Sequence, residues 1–379
     1  EEDTTAISRD LGPTASWFGI YVGWLGHNNI GDDALLDIFI SILQGKSSDS
    51  VPNKHFELTP KQCRKVKQGG EGAPLFVSMG GGSTIRDNYM ESANNYLASF
   101  PNALPLMFGS GWDDYEVKLT VDEGTRLSQD LAKDEQQHQI KKIISRIVTK
   151  EHKYKILHDT TFWKRPWIGG IRGPITQRLI KHCLADQHND AVVSPPYIMY
   201  DPGMLASSLL KKTTRSFPLA EKISSVRSKQ MEETEIKSSS QVTMRHAVLN
   251  VGLSPIHPVY GGRGEKASRH AVQVFGKLAC AMAMDGVNVI FVSAWQADLE
   301  ANEEAASLGR KNIIKTTTAR KKVGTIQVLS KIPTLLQLLS IIKEVEVVIG
   351  MRLHMSVFAF SMQIPAVIVA YRLKHFDYA

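Results

Sequence analysis

The residues best placed to do chemistry lie in Val348-Ile349-Gly350-Met351-Arg352-Leu353-His354, where a short apolar run hands over to a helical pattern. A guanidinium and an imidazole two residues apart at such a junction suit an anionic substrate. Arginine grips carboxylate or phosphate through a planar fork, and the helix that follows turns its positive end to the same place. Histidine moves protons near neutral pH. The plainer reading makes Arg352 a cap on a neighbouring helix and His354 a satisfied, half-buried residue. Arg172, in Ile171-Arg172-Gly173-Pro174, is the second candidate. Coming from the other half of the chain, it would close on one anion from across a cleft. Its alternative is a surface arginine at a helix start.

These side chains need elements to present them. Apolar runs at 17–23, 75–79, 104–108, 167–171 and 192–200 alternate with helical patterns at 32–43, 135–150 and 174–184. The second half repeats the alternation. Strands are expected at 247–253, 287–293, 312–316, 345–349 and 364–370, and helices at 265–284, 298–308, 333–343 and 354–362. Continuous Val/Ile-rich strands between helices argue for parallel sheets covered on both faces. The expected fold class is α/β, two Rossmann-like domains facing a cleft. Residues 1–210 form the first domain and 246–379 the second. The Ser- and Lys-rich stretch 211–245 reads as a polar linker or insertion. No covering helix is apparent after the last strand, so one is expected from another segment or lost to truncation.

In such sheets ligands bind beyond the carboxyl ends of the strands. Five clusters fall there: 26–33, 80–87, 109–114, 170–174 and 350–354. Glycine lets backbone N–H groups approach an anion or sugar. None of the five is a Walker A loop or a strict G-x-G-x-x-G. Each alone is more often a turn; at successive strand ends they favour a site. Trp112, Trp163, Trp167 and Trp295 sit near loops, where rings stack on sugars, although core packing is the commoner fate. His152 and His158 precede a Trp-rich stretch and are acceptor-side candidates.

The chain has 379 residues, enough for about two domains. Its 42% hydrophobic content supports a buried core and excludes a wholly disordered, collagen-like or disulfide-scaffold chain. The net charge of +7 is spread along the sequence, which fits an anionic ligand better than nucleic acid. Cys63, Cys183 and Cys280 are too dispersed for a C-x-x-C zinc or dithiol motif, and no metal site is expected. No run of apolar residues is long enough to span a membrane. The opening Glu1-Glu2 is expected of a trimmed chain or fragment, and the lack of an Asn-x-Ser/Thr sequon speaks against a secreted glycoprotein.

Taken in order, the clusters resemble the polysaccharide pyruvyl transferase family. Gly26-His27-Asn28-Asn29-Ile30-Gly31-Asp32-Asp33-Ala34 is similar to the family's G-x-x-N-x-G-D-E-A loop, with Asp33 in place of Glu. Gly80-Gly81-Gly82-Ser83 resembles its second glycine loop, and Leu106-Met107-Phe108-Gly109-Ser110-Gly111 the strand leading to its third. Arg172-Gly173-Pro174 is similar to its V-R-D-x-x-S box, with Gly173 and Thr176 departing from it. Asp201-Pro202-Gly203 resembles its D-P-A box, Gly350-Met351-Arg352-Leu353-His354 its most specific box, and 370–374 the closing one.

The resemblance implies a fold similar to GT-B glycosyltransferases. It also implies transfer of pyruvate from phosphoenolpyruvate to two hydroxyls of one sugar in a glycan, giving a cyclic ketal and phosphate. Arg172, Gly350, Arg352, Leu353 and His354 would then bind the donor, with His354 as general acid and Arg352 as its catalytic partner. Asn28, Gly31, Asp32, Gly81, Gly82, Ser83, Gly111, His158 and Asp201 would serve the acceptor or the glycine loops. No cofactor is implied beyond phosphoenolpyruvate as donor substrate, and the compartment stays open between cytoplasm and Golgi lumen. A nucleotide-sugar glycosyltransferase and a catalytically silent glycan-binding homologue are the competing readings.

Overall fold

Two sheets are built from the apolar runs. The computed structural model describes residues 17–23, 25, 29–44, 56–58, 63–68, 74–112, 120–128, 134–149, 160–185, 197–210, 245–252, 264–316 and 323–378. In the first half these form β1 (Trp17–Val22), α1 (Ile30–Gln44), β2 (Phe56–Leu58), β3 (Cys63–Gln68), β4 (Phe76–Met79), α2 (Asp87–Ser99), β5 (Leu104–Ser110), α3 (Val121–Ser128), α4 (Asp134–Thr149), α5 (Thr160–Trp163), β6 (Ile168–Ile171), α6 (Pro174–Ala185), β7 (Tyr197–Ile198) and α7 (Ser207–Leu210). The sheet order is β2-β3-β1-β4-β5-β6-β7. β1, β4, β5, β6 and β7 run parallel, and β3 and β2 add an antiparallel edge.

The second half supplies β8 (His246–Asn250), α8 (Gly264–Met284), β9 (Asn288–Phe291), α9 (Leu299–Thr316), β10 (Ile326–Val328), α10 (Leu335–Lys343), β11 (Val347–Gly350), α11 (Leu353–Ser361), β12 (Ala366–Ile368) and α12 (Leu373–Tyr378). Its sheet is wholly parallel, in the order β10-β9-β8-β11-β12. Every residue of β4, β8 and β9 is buried, as strands covered on both faces require. α10 starts at a capping box. Thr334 Oγ1 accepts from the Gln337 N–H at 3.3 Å, and Gln337 Oε1 accepts from the Thr334 N–H at 2.9 Å. Pro333 lies just before that cap.

The halves share packing. One apolar cluster joins Tyr21, Phe39, Phe76 and Phe108 of the first half to Val248, Ile290, Leu338 and Met355 of the second. α1 forms much of that seam, and Phe39 meets Phe76 and Phe108 edge-on at 5.5 and 5.0 Å. The start of α1 is tied across as well, with the Ile30 N–H donating to the Ala294 carbonyl at 3.0 Å.

Three sequence expectations are corrected. Residues 312–316 are not a strand but the last turns of α9, and the strand of that layer is β10. A short β-branched run cannot be told from a helix end by periodicity alone. The β2–β3 hairpin was not foreseen, because Cys63-Arg64-Lys65-Val66-Lys67-Gln68 is too polar to read as buried strand; it is an edge. No helix was expected from the chain's own residues after the last strand, but one is present there as α12, and it packs on α3 and α6 of the first half. The 211–244 part of the polar linker lies outside the described residues, as do residues 192–196 of the expected 192–200 strand.

Candidate functional site

The strand order of the second sheet reverses between the parallel neighbours β8 and β11, and a crevice forms where their following connections leave to opposite sides. Asn250 ends β8 there. Its Oδ1 accepts from the Arg352 N–H at 3.1 Å, and its Nδ2 donates to the Val292 carbonyl at 2.8 Å. Arg352 is thereby set as the N-cap residue of α11. Its guanidinium is gripped by Asp298, with Nε to Oδ2 at 2.9 Å and Nη2 to Oδ1 at 2.5 Å, and lies 4.9 Å from the centre of the Trp295 ring. The fork geometry fixes the orientation of the cation.

His354 follows on the first turn of α11, 8% exposed, with its ring stacked on Phe358 at 5.9 Å. Its Nε2 lies 3.6 Å from Asp201 Oδ2, an ion pair whenever the imidazole is protonated. Asp201 Oδ1 accepts from the Gly203 N–H at 2.9 Å. Burial alone would raise the Asp201 carboxyl, but the charges of His354 and Arg172 and the Gly203 bond outweigh it and hold it below the usual carboxylate range. Asp32, on α1, is the opposite case. Burial pushes it up against the pull of His354 and Lys374, with Asp201 adding to the rise. Its Oδ2 accepts from Asn29 Nδ2 at 2.6 Å. Two carboxylates near one imidazole thus have their titrations pushed apart, the pattern that separates a fixed charge from a proton carrier.

Gly31 is required by this arrangement. A Cβ there would lie 1.9 Å from His354 Nδ1. Gly31→Ala is therefore expected to displace the imidazole, costing about 1–3 kcal/mol of stability and most of the turnover. Thermal melts and initial rates on the variant check both. Unchanged rates would show that the His354 ring position does not matter.

Arg172 comes from the first half, just beyond β6. It is 1% exposed, and Nε, Nη1 and Nη2 all lack hydrogen-bond partners among the described residues. Its nearest counter-charge is Asp377 Oδ2, 3.9 Å from Nε. Asp377 belongs to α12 and caps α6 from a distance: Oδ1 accepts from the Ile175 N–H at 2.8 Å and the Thr176 N–H at 3.0 Å, and Oδ2 from Thr176 Oγ1 at 2.5 Å. Burial raises the Asp377 carboxyl even with Arg172 beside it. The guanidinium lies over Gly111, where a Cβ would fall 2.4 Å from Nη2.

Of the residues singled out from sequence, Gly31, Asp32, Asp201, Gly350, Arg352, Leu353 and His354 fall in or beside the His354 cluster. Gly81, Gly82 and Ser83 form the loop after β4. That loop is knitted to β5 by the Gly111 N–H to the Gly82 carbonyl at 2.8 Å and by Ser110 Oγ to the Gly80 carbonyl at 2.8 Å. Gly82 has φ of 86°, and Asp32 Oδ1 packs against it. Asn28 and His158 lie outside the described residues, as does His152. Trp112 and Trp163 are buried core residues, while Trp295 underlies Arg352. Asp298 and Asp377 were missed. Asp298 lies just beyond β9, where the strand-end rule could have found it; Asp377 carried no local signal. Among the described residues no group of three or more His, Cys, Asp or Glu could hold a metal, and no helix is long and apolar enough to cross a membrane.

A sequence profile of the polysaccharide pyruvyl transferase family matches residues 172–372, just over half of the chain. The chain belongs to that family. The matched span opens on Arg172 and takes in Asp201, Asp298, Arg352 and His354; the glycine loops of the first half precede it. No curated protein matches the chain. Among solved structures it is similar to the UDP-GlcNAc 2-epimerase from Methanocaldococcus jannaschii, at 10% identity and a TM-score of 0.38. That alignment covers 78% of this chain and 61% of the epimerase, so the chain spans about three fifths of its length. It is also similar to MnaA of S. aureus with UDP (9% identity, TM-score 0.33, covering 79% and 72%). A third is E. coli ADP-heptose lps heptosyltransferase II (13% identity, TM-score 0.29, covering 76% and 82%).

Proposed function

We propose that this transferase moves pyruvate from phosphoenolpyruvate onto two hydroxyls of one sugar residue in a glycan, forming a cyclic ketal and releasing phosphate. The observation that carries the reading is Arg172. Among the described residues this buried guanidinium has the Asp377 carboxylate 3.9 Å away but no hydrogen-bond partner, and its unsatisfied donors suit an anionic ligand. A small, doubly charged donor with both a carboxylate and a phosphate is such a partner. Arg352 supplies a second, oriented cation at the strand end of the other half.

The chemistry divides among the chain's own residues. His354 donates its proton to the methylene carbon of the donor, and the neighbouring carbon takes up positive charge. One sugar hydroxyl attacks that carbon. Its bond to the phosphate oxygen breaks, phosphate leaves, and the second hydroxyl closes the ring. Of the two hydroxyl protons released, one restores His354 and the other departs on phosphate. Asp201 is the fixed negative charge beside the imidazole, and the arginines stabilise the leaving phosphate.

Incubation with phosphoenolpyruvate and a galactose- or N-acetylmannosamine-containing acceptor is expected to release phosphate and leave an acid-labile pyruvyl adduct on the sugar. The adduct is read by mass spectrometry. Absence of turnover together with no effect of phosphoenolpyruvate on the melting temperature would sink the proposal.

A further inference from the structure

Two carboxylates stand near His354, and they differ in reach. Asp201 is 1% exposed and sealed from a substrate hydroxyl. Asp32, on the first turn of α1, is only half-buried. Its carboxylate is held from two sides. Oδ2 accepts from Asn29 Nδ2 at 2.6 Å. Asn29 is itself fixed, because its Oδ1 accepts from the Gly31 N–H at 3.1 Å and its backbone bridges Trp295 of the second half. Oδ1 lies over Gly82, where a Cβ would fall 2.4 Å from it. The preceding residue, Gly31, backs onto His354 Nδ1. A reachable carboxylate is therefore set near the proton donor before substrate arrives.

We infer that Asp32 is the general base of the transfer, taking the proton of the attacking sugar hydroxyl and handing it to the departing phosphate. The assignment rests on the pyruvyl-transfer reading. The hydroxyl O–H bond breaks toward Asp32 as the oxygen bonds to the donor carbon. The bond from that carbon to the phosphate oxygen then breaks, its electron pair leaves on phosphate, and the Asp32 proton follows. The second hydroxyl closes the ring, and its proton restores His354. Asp32 ends as the carboxylate it began as.

The groups around Asp32 suit both steps. His354 on α11, Lys374 on α12 and Arg172 beyond β6 favour its ionised form, while burial and Asp201 oppose it. Asp33 follows it on α1. The Tyr21 hydroxyl on β1 is driven up by burial and by Asp32, so it stays neutral. At Asp32 burial prevails and the carboxyl titrates above the ordinary carboxylate range. A base so raised takes a hydroxyl proton more readily than an ordinary carboxylate does. Asp32 accepts only when ionised, so turnover falls as pH drops through its pKa. His354 donates only when protonated, so turnover falls again as pH rises.

The test follows phosphate release from phosphoenolpyruvate, with a galactose- or N-acetylmannosamine-containing acceptor, across pH. Melting shifts with phosphoenolpyruvate are read in parallel. Asp32→Asn is expected to lower kcat about 10²- to 10⁴-fold, and the residual rate should lack the fall on the acid side. The phosphoenolpyruvate shift should be equal to that of wild type or larger, because a negative charge near an anionic donor has gone. Asp32→Glu keeps the carboxylate and should recover part of the rate. Should Asp32→Asn melt early, Asn29→Ala takes its place. It removes a hydrogen bond to the carboxylate and should move the acid limb to higher pH. Wild-type kcat in Asp32→Asn overturns the inference, as does an acid limb that neither variant moves. So does a phosphoenolpyruvate shift lost in step with the rate, the mark of a residue that only holds the loops together. A wild type that neither turns over nor responds to phosphoenolpyruvate overturns the pyruvyl-transfer reading and this inference with it.

Discussion

Replacing His354 with alanine is expected to lower kcat by about 10²- to 10⁴-fold, the usual range for a positioned general acid. Donor affinity should stay within about threefold of wild type, because the lost group acts in the transition state rather than in binding. The expectation rests on placement. The ring is held on one side by Gly31 and on another by Phe358, with Asp201 3.6 Å from Nε2. Such a group is fixed in position before substrate arrives. Asp201→Asn removes the fixed charge without removing the ring, so it should lower kcat less than His354→Ala does and shift the pH profile of the rate. Steady-state kinetics on both variants, with calorimetric titration of phosphoenolpyruvate, separate the effects. If His354→Ala keeps wild-type kcat, or loses donor binding and turnover in equal measure, His354 is a binding residue and the proton comes from elsewhere.

The parts of this site that could be read in the sequence are those whose neighbours in space are also neighbours in sequence. Arg352 and His354 were legible because a strand, a turn and a helix start follow one another within a few residues, and strand ends are where parallel sheets bind ligands. The same local rule found Arg172. It could not find Asp377, which reaches Ile175 across a sequence separation of 202, because that contact exists only once α12 has packed back on the first half. Nor could it say that Asp32 and Asp201, read as acceptor or loop residues, meet at His354, since they come from separate strand ends. The errors of fold have local causes as well. Asn312-Ile313-Ile314 has β-branched character inside the last turns of an 18-residue helix, and long-range packing overrides such a preference. The sequence of the β2–β3 hairpin is too polar to leave a strand pattern.

Arg172→Met is expected to separate donor binding from stability. The methionine nearly matches the arginine stem in length and removes a buried charge whose three nitrogens have no hydrogen-bond partner among the described residues. Relief of such an unsatisfied group is worth about 1–3 kcal/mol to the empty protein, but it is offset by leaving the buried Asp377 carboxyl without its counter-charge, so the melting temperature should stay near that of wild type. Phosphoenolpyruvate affinity should fall by about 10²-fold, the worth of one or two charged hydrogen bonds. A merely structural arginine would tie the two together, with the variant melting earlier and donor binding following the loss of fold. Asp377→Asn sharpens the test. Asparagine keeps an oxygen for the Ile175 and Thr176 N–H groups, so α6 stays capped, while the negative charge 3.9 Å from Arg172 disappears. Donor and inorganic phosphate should then bind more tightly, by about tenfold at most, because an ion pair near 4 Å is worth a few kcal/mol before screening. Burial already raises the Asp377 carboxyl and so suppresses part of its charge, which is why the gain is capped. Thermal melts and calorimetric titrations with both ligands decide the matter. An Arg172→Met protein that melts early, or an Asp377→Asn protein that loses phosphate affinity while remaining folded, would mean that the buried guanidinium is part of the scaffold and that the donor's charge is met elsewhere.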